Sequence, residues 1–187
     1  MHFLFRCGVY GQAGVRKMPD IDHVSLKMTE LSASDRRILA ELQRDGSLSN
    51  VALAEKVGMS ASPCLRRVKQ LEAAGLIRRY VALLDERKLG VGLTAYVEVK
   101  VPQVAGEAIV ERFKAAVARE PAITGCFVIA GQYDFLLRVV ARDLDAYSHL
   151  TQTVLLRLPG VQDTRSSFVL EAVKDTTELP IGGFGRP

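Results

Sequence analysis

No apolar run in this chain approaches the ~18 to 20 residues that a membrane-spanning helix requires. The three-residue apolar patch in MHFLFR is far shorter than the core of a secretion signal. A cytoplasmic protein without a membrane partner is therefore expected. Cysteine is scarce: Cys7, Cys64 and Cys126 are odd in number, widely spaced and never arranged as CxxC. Neither a disulfide framework nor a zinc site is expected from such a set. His2, His23 and His149 are equally scattered and have no metal-ligand spacing. No Ser-His-Asp or paired-carboxylate pattern stands out. The glycines of GVYGQAG, Gly8, Gly11 and Gly14, lack both the Lys-Ser/Thr of a phosphate loop and the spacing of a dinucleotide fingerprint. No amphipathic helix follows them. Residues 1–30 read as a disordered extension, and the working chain is expected to start near Met28.

What is present is enough apolar material for a real core, 48% of 187 residues, which leaves room for one medium domain or two small ones. Charge is unevenly spread. From Leu31 to Tyr80 nine Lys/Arg stand against five Asp/Glu, a net +4; from Val81 to Pro180 eleven stand against thirteen, a net −2. A basic first part and a non-basic second part imply that the first meets nucleic acid and the second does something else.

Within residues 31–80, Ser32 followed by Asp35 has the form of a capping box. Ile38, Leu39 and Leu42 give a helical stripe that Asp45-Gly46 stops. Ser49 caps a second helix, NVALAEKV, with Val51, Ala54 and Val57 on one face, and Gly58 ends it. A third helix follows in SASPCLRRVKQLEAAG, with Leu65, Val68 and Leu71 expected inward and Arg66, Arg67 and Lys69 outward. Helix, tight Gly-containing turn and helix make a helix-turn-helix. The second helix of that motif enters the major groove and offers its N-terminal residues to base edges. Arg66, Arg67 and Lys69 suit phosphates, and an arginine also pairs bidentately with guanine. Ser60 and Ser62 open the helix, where hydroxyls and backbone N–H groups reach a phosphate. Pro63 fits the first turn, and Asn50 at the start of the preceding helix completes the candidate DNA-contacting set. A merely solvated basic face is the competing reading; the preceding helix and turn favour DNA. LIRRYVALLD reads as a strand leading out through a linker at 81–91.

From 92 to 175 the rhythm changes. Leu93, Ala95, Val97, Val99 and Val101 alternate strictly with Thr94, Tyr96, Glu98 and Lys100, as in a half-buried strand. EAIVERFKAAVARE carries Ile109, Phe113, Ala116 and Val117 at helical spacing. TGCFVIAG and DFLLRVVA are strands joined by AGQYD. LDAYSHLTQTVLLRLPG is a second amphipathic helix, with Leu144, Tyr147, Thr151, Val154, Leu155 and Leu158 inward, and DTRSSFVLEAV is a last strand. The order β-α-β-β-α-β is that of a ferredoxin-like domain, giving an α+β protein with an N-terminal helix-turn-helix. The sheet face without helices is not all polar, and a partner is expected there. Residues 176–187 read as a loose tail.

ILAELQRDGSLSNVALAEKVGMSASPCLRRVKQLEAAGLIRRYVALLD resembles the DNA-binding half of the Lrp/AsnC transcriptional regulators, above all in P-C-L-R-R-V followed by L-E-x-x-G-x-I. The resemblance continues through GLTAYVEV, AGQYDFLLRV, LLRLPGV and DTRSSFVLEAVK, and covers about residues 31 to 175. It implies a winged-helix-like DNA-binding domain, a linking strand that pairs across a dimer, and a ferredoxin-like domain that binds a small effector, usually an amino acid. It further implies homodimers that assemble into octamers, double-stranded DNA as partner, and neither catalytic residues nor a cofactor. Carried over by position, the effector region falls on Gly131, Gln132, Tyr133 and Asp134, on Leu144 and Leu156, and on Ser167 and Phe168. Asp134 would accept from the effector's ammonium, and backbone N–H groups of the turn would hold its carboxylate. Gly131 and Asp134 also suit an ordinary hairpin turn. Ser167 stands where leucine-responsive relatives tend to carry a bulkier aromatic, which argues against leucine as effector. The reading is a sequence-specific regulator that responds to a small effector. Its competitors are an architectural DNA-compacting protein and an enzyme resembling the sirohaem decarboxylases. The latter needs a cluster of cations and proton donors, whereas His149 stands alone on a polar helix face.

Overall fold

The computed structural model describes residues 31–101 and 107–181. The expected extension over 1–30, with its start near Met28, lies outside the described residues, as does the end of the expected tail. The chain divides into two compact units, one ending at Ile77 and the other running from Arg78 to Leu179.

The first unit has three helices: α1 (Ala33–Arg44), α2 (Asn50–Val57) and α3 (Ala61–Ala73). The capping box at α1 is complete. Ser32 Oγ accepts from the Asp35 N–H at 3.1 Å, and Asp35 Oδ2 accepts from the Ser32 N–H at 3.1 Å and from its hydroxyl at 2.6 Å. Ser49 Oγ likewise accepts from the Ala52 N–H, so α2 begins where its cap dictates. Gly58 ends α2 at φ +68°, a left-handed conformation that side chains with a Cβ resist. Only Gly58, Met59 and Ser60 then separate α2 from α3. Ile38, Leu53, Ala54, Val57, Cys64 and Leu71 form the buried core, with Leu39, Leu42, Leu48, Met59, Val68 and Ile77 packed around it.

Two expectations about this core are corrected. On α2 Leu53 takes the inward place expected of Val51, which is exposed, because Leu53, Ala54 and Val57 share the arc that faces α1 and α3. On α3, Cys64 takes the inward position expected of Leu65, and Leu65 is 42% exposed. At about 100° per residue, Cys64, Val68 and Leu71 lie along one stripe, and Leu65 is rotated off it. The strand expected in LIRRYVALLD is absent as well. Residues 78–85 make no ladder, and Val81, Leu83 and Leu84 lie exposed. Their composition suits a strand, but a strand needs a neighbour to accept its N–H groups.

The second unit contains β1 (Leu93–Lys100), α4 (Glu107–Arg119), β2 (Ile123–Val128), β3 (Phe135–Ala141), α5 (Leu144–Thr153) and β4 (Asp163–Phe168). The antiparallel sheet has the order β2-β3-β1-β4. This is the expected ferredoxin-like arrangement. Ala95, Val97, Val99 and Val101 face inward with Phe135, Leu137 and Val139, and meet Phe113 and Val117 of α4 and Tyr147 of α5. Phe113 and Phe135 lie with ring centroids 4.6 Å apart. Both helices therefore cover one sheet face. On the other, Tyr96, Glu98, Arg138, Phe127, Arg165 and Ser167 are exposed or partly so. Two details of α5 differ from the expectation. Leu144, at its first residue, is exposed, and the α-helix stops at Thr153. A short 3-10 turn at Leu155–Arg157 then brings Leu155 and Leu158 into the core.

Candidate nucleic-acid interface and effector region

On α3 the helical period gathers Ser62, Leu65, Arg66, Lys69, Gln70 and Ala73 onto one side, where they line an open depression of about 420 Å³. Among the described residues neither Arg66 nor Lys69 meets a carboxylate. Both cations stand exposed to solvent. Ser60 is the N-cap of α3 but makes no side-chain capping bond, and Pro63 in the first turn has no N–H. Among the described residues, the Ser60 and Ser62 hydroxyls at the start of α3 make no side-chain hydrogen bond, at the end of the helix that favours an anion.

Arg67 and Asn50, expected beside these residues, are engaged within the protein. Arg67 Nη1 lies 3.3 Å from Asp35 Oδ1 and 3.4 Å from Oδ2, so α3 is tied to the capping box of α1 across 32 positions. Asn50 Nδ2 donates to the Ala61 carbonyl at 2.8 Å, joining the first residue of α2 to the first of α3. Its Oδ1 is buried without a hydrogen-bond partner among the described residues. Both side chains fix where α3 sits. Leu65, Gln70 and Ala73 are members of the outward face that sequence reasoning missed. Their signal was present in the spacing from Ser62, once the inward stripe is run through Cys64 rather than Leu65.

In the second unit the candidate effector residues fall at two ends of the sheet. The turn Gly131–Asp134 is built into the strands: the Asp134 N–H donates to Val99 O at 3.1 Å, and Asp134 Oδ2 accepts from the Val101 N–H at 2.9 Å. Tyr133 donates its hydroxyl to Asp163 Oδ2 at 3.1 Å. Burial, and then that hydrogen bond, push the Tyr133 phenol above its ordinary pKa. Gln132 is exposed in the same turn, and Leu156 is exposed on the 3-10 turn that leads toward β4. Phe168 and Ser167 lie toward the other end of β4. The register pairs Lys100 with Asp163 and Ala95 with Phe168, so Asp163 and Phe168 are separated by five steps along the strand, roughly 16 Å. Phe168 lies on the helix side, where its ring meets Tyr147 edge-on at 5.1 Å, and Ser167, opposite Tyr96, lies on the other face. Leu144, opening α5 just after the far end of β3, is likewise separated from the turn by the length of that strand. Within one chain the structure does not bring these eight residues into a single pocket.

The match to known families decides the assignment. Residues 31–78 fit the winged helix-turn-helix DNA-binding model and residues 94–179 the Lrp/AsnC ligand binding domain. The leucine-responsive regulatory protein of Salmonella typhimurium is 43% identical over 152 residues, 81% of this chain and 92% of that protein. The chain belongs to the Lrp/AsnC family. Solved Lrp/AsnC-like structures agree. A transcriptional regulator from Neisseria meningitidis, in complex with L-Met, superposes with a TM-score of 0.78 at 43% identity, over 81% of this chain and 97% of that one. The feast or famine regulatory protein of M. tuberculosis, complexed with L-methionine, gives 0.70 at 25% identity over 78% and 96%. As a member of the Lrp/AsnC family, the chain is an effector-responsive DNA-binding transcriptional regulator and not an enzyme. No helix among the described residues is long and apolar enough to cross a membrane.

Proposed function

We propose that this regulator reads double-stranded DNA with the face of α3 that carries Ser62, Arg66 and Lys69, and that an amino acid bound in the second unit adjusts that binding. The observation that carries the DNA-facing assignment is the pairing pattern of the cations. Arg67 is paired with Asp35, while Arg66 and Lys69, one turn apart, are held outward without a carboxylate among the described residues. Ser60, Ser62 and Pro63 place the α3 N-terminus against a phosphate, and Arg67 and Asn50 serve by fixing the helix.

The amino-acid assignment rests on the relatives: two structurally similar regulators hold L-methionine, and the Salmonella relative is named for its response to leucine. An amino acid with an apolar side chain suits Leu144, Leu156 and Phe168. Asp134 uses one carboxylate oxygen on the Val101 N–H and offers the other to an ammonium group. The two-ended distribution of these residues fits a site completed by a second copy. A homodimer, assembling further toward an octamer, gives partners both to the open sheet face and to residues 78–85. The effector then acts by binding one assembly or head orientation more tightly than another. The protein works in the cytoplasm, where its DNA is.

Nuclease footprinting of the DNA upstream of its own gene, with and without a pool of the twenty amino acids, tests this reading. Protected segments should recur at ~10 bp or its multiples, as two-fold related heads demand, and the pool should change their extent. Uniform, sequence-independent protection indifferent to the pool would replace the effector-responsive reading with an architectural one.

A further inference from the structure

The face of α3 holds one large apolar side chain, which its charge pattern does not account for. Leu65 is 42% exposed and lies among Ser62, Arg66, Lys69 and Gln70 on the outward side. A single exposed leucine is ordinary on a protein surface. Leu65 differs in its position: it is the fifth residue of the helix that follows the tight turn, in the N-terminal half that reaches base edges in a helix-turn-helix. The residues around it are suited to phosphates and to polar base edges, and none of them recognises an apolar group. In the major groove the one apolar feature of any base edge is the C5-methyl of thymine, which is read by apolar contact.

We propose that Leu65 is a specificity-determining residue that packs on the methyl of a thymine, so that each head demands an A·T pair, with the thymine on one strand, at the position it covers. This rests on the assignment of the α3 face to DNA. Arg66 and Lys69 follow Leu65 at i+1 and i+4 and lie on one angular side of it, so their phosphate contacts anchor the helix beside the leucine while contributing no sequence information themselves. The reading of this base is independent of salt, because no counterion is released when a methyl is buried.

The test uses the full-length protein and a duplex enriched from a random pool by that protein. Each thymine in one half-site is replaced in turn by uracil, which removes only the methyl, together with its symmetry mate. At one thymine per half-site the wild-type protein should bind the uracil duplex roughly fourfold more weakly for each methyl lost, the worth of one buried methyl group. Leu65→Ala should bind the thymine duplex correspondingly more weakly and should not distinguish thymine from uracil there. Its salt slope should match that of the wild type. Leu65→Gln, which keeps a long side chain suited to an exposed helical position, should show the same indifference and guards against a fold defect in the alanine variant. Uracil substitution that is silent at every position, or that costs both variants as much as the wild type, overturns the proposal while leaving DNA binding intact. Variants that change oligomer mass or helical content overturn it too, since Leu65 would then be packing on protein. Failure to enrich any duplex would instead remove the DNA assignment on which it stands.

Discussion

Successive residues of an α-helix point about 100° apart, so Arg66 and Arg67 are put to different uses although they are neighbours in the chain. Arg66 stands outward, and Arg67 reaches Asp35 at the start of α1. Both side chains of that pair keep some solvent contact, which limits the ion pair to the order of 0.5–1 kcal/mol. Arg67→Ala should therefore lower the urea midpoint of the first unit by an amount corresponding to about that energy. Arg66→Ala should leave the midpoint where it is and weaken DNA binding instead. Equal midpoints for the two variants would contradict the division. The sequence could not separate them: a run of basic residues carries no mark of which tip will find a carboxylate 32 positions earlier. Ser32 and Asp35 were legible as a cap because the spacing itself imposes the geometry. That Asp35 also receives Arg67 was not, since this depends on how α1 and α3 pack.

Elements that bury an apolar pattern within their own unit were located correctly, although Val51, Leu65 and Leu144 were assigned to the wrong face, and the segment with no ladder partner was misread as a strand. β1 alternates over its whole length because one face is buried beneath α4 and α5, and the structure follows that alternation. LIRRYVALLD has the composition of a strand but no ladder among the described residues, and its Val81 and Leu83 are exposed. If a second copy supplies the missing neighbour, Val81→Asp with Leu83→Asp should shift the protein to smaller species in sedimentation while its helical content stays constant. An unchanged mass would assign assembly to other surfaces. Asp134 shows the same dependence at a turn. It was legible as a turn residue, whereas its carboxylate bond to the Val101 N–H was not. Removing that acceptor leaves a buried donor unsatisfied, which costs about 1–3 kcal/mol. Asp134→Ala should therefore lower the thermal midpoint of the second unit, and Asp134→Asn should recover most of the loss. A full loss of amino-acid response in Asp134→Asn with stability preserved would mark the residue as an effector contact beyond its structural role.

For the whole molecule, the charge asymmetry read from the sequence coincides with the division of labour. The part matched by the DNA-binding model, residues 31–78, carries eight Lys/Arg against five Asp/Glu, a net +3, and the part matched by the ligand-binding model, residues 94–179, carries nine against eleven, a net −2. Fold class and the order of elements along the chain were legible because each unit buries a continuous apolar pattern of its own. The candidate effector residues were legible only as scattered positions, because they lie at separate ends of one sheet, and a site completed by a second copy, as proposed, would leave no spacing signal in one chain. The account turns on Arg66 and Lys69 being the cations that meet DNA. The most direct measurement is fluorescence anisotropy of a labelled duplex from upstream of the protein's own gene, titrated over ~50 to 200 mM salt with the wild type and with an Arg66→Ala/Lys69→Ala variant. The account predicts weaker binding by the variant and a log–log salt slope shallower by about 1 for each phosphate contact removed. Wild-type affinity and slope in the variant would contradict it and turn a different face of the molecule toward DNA.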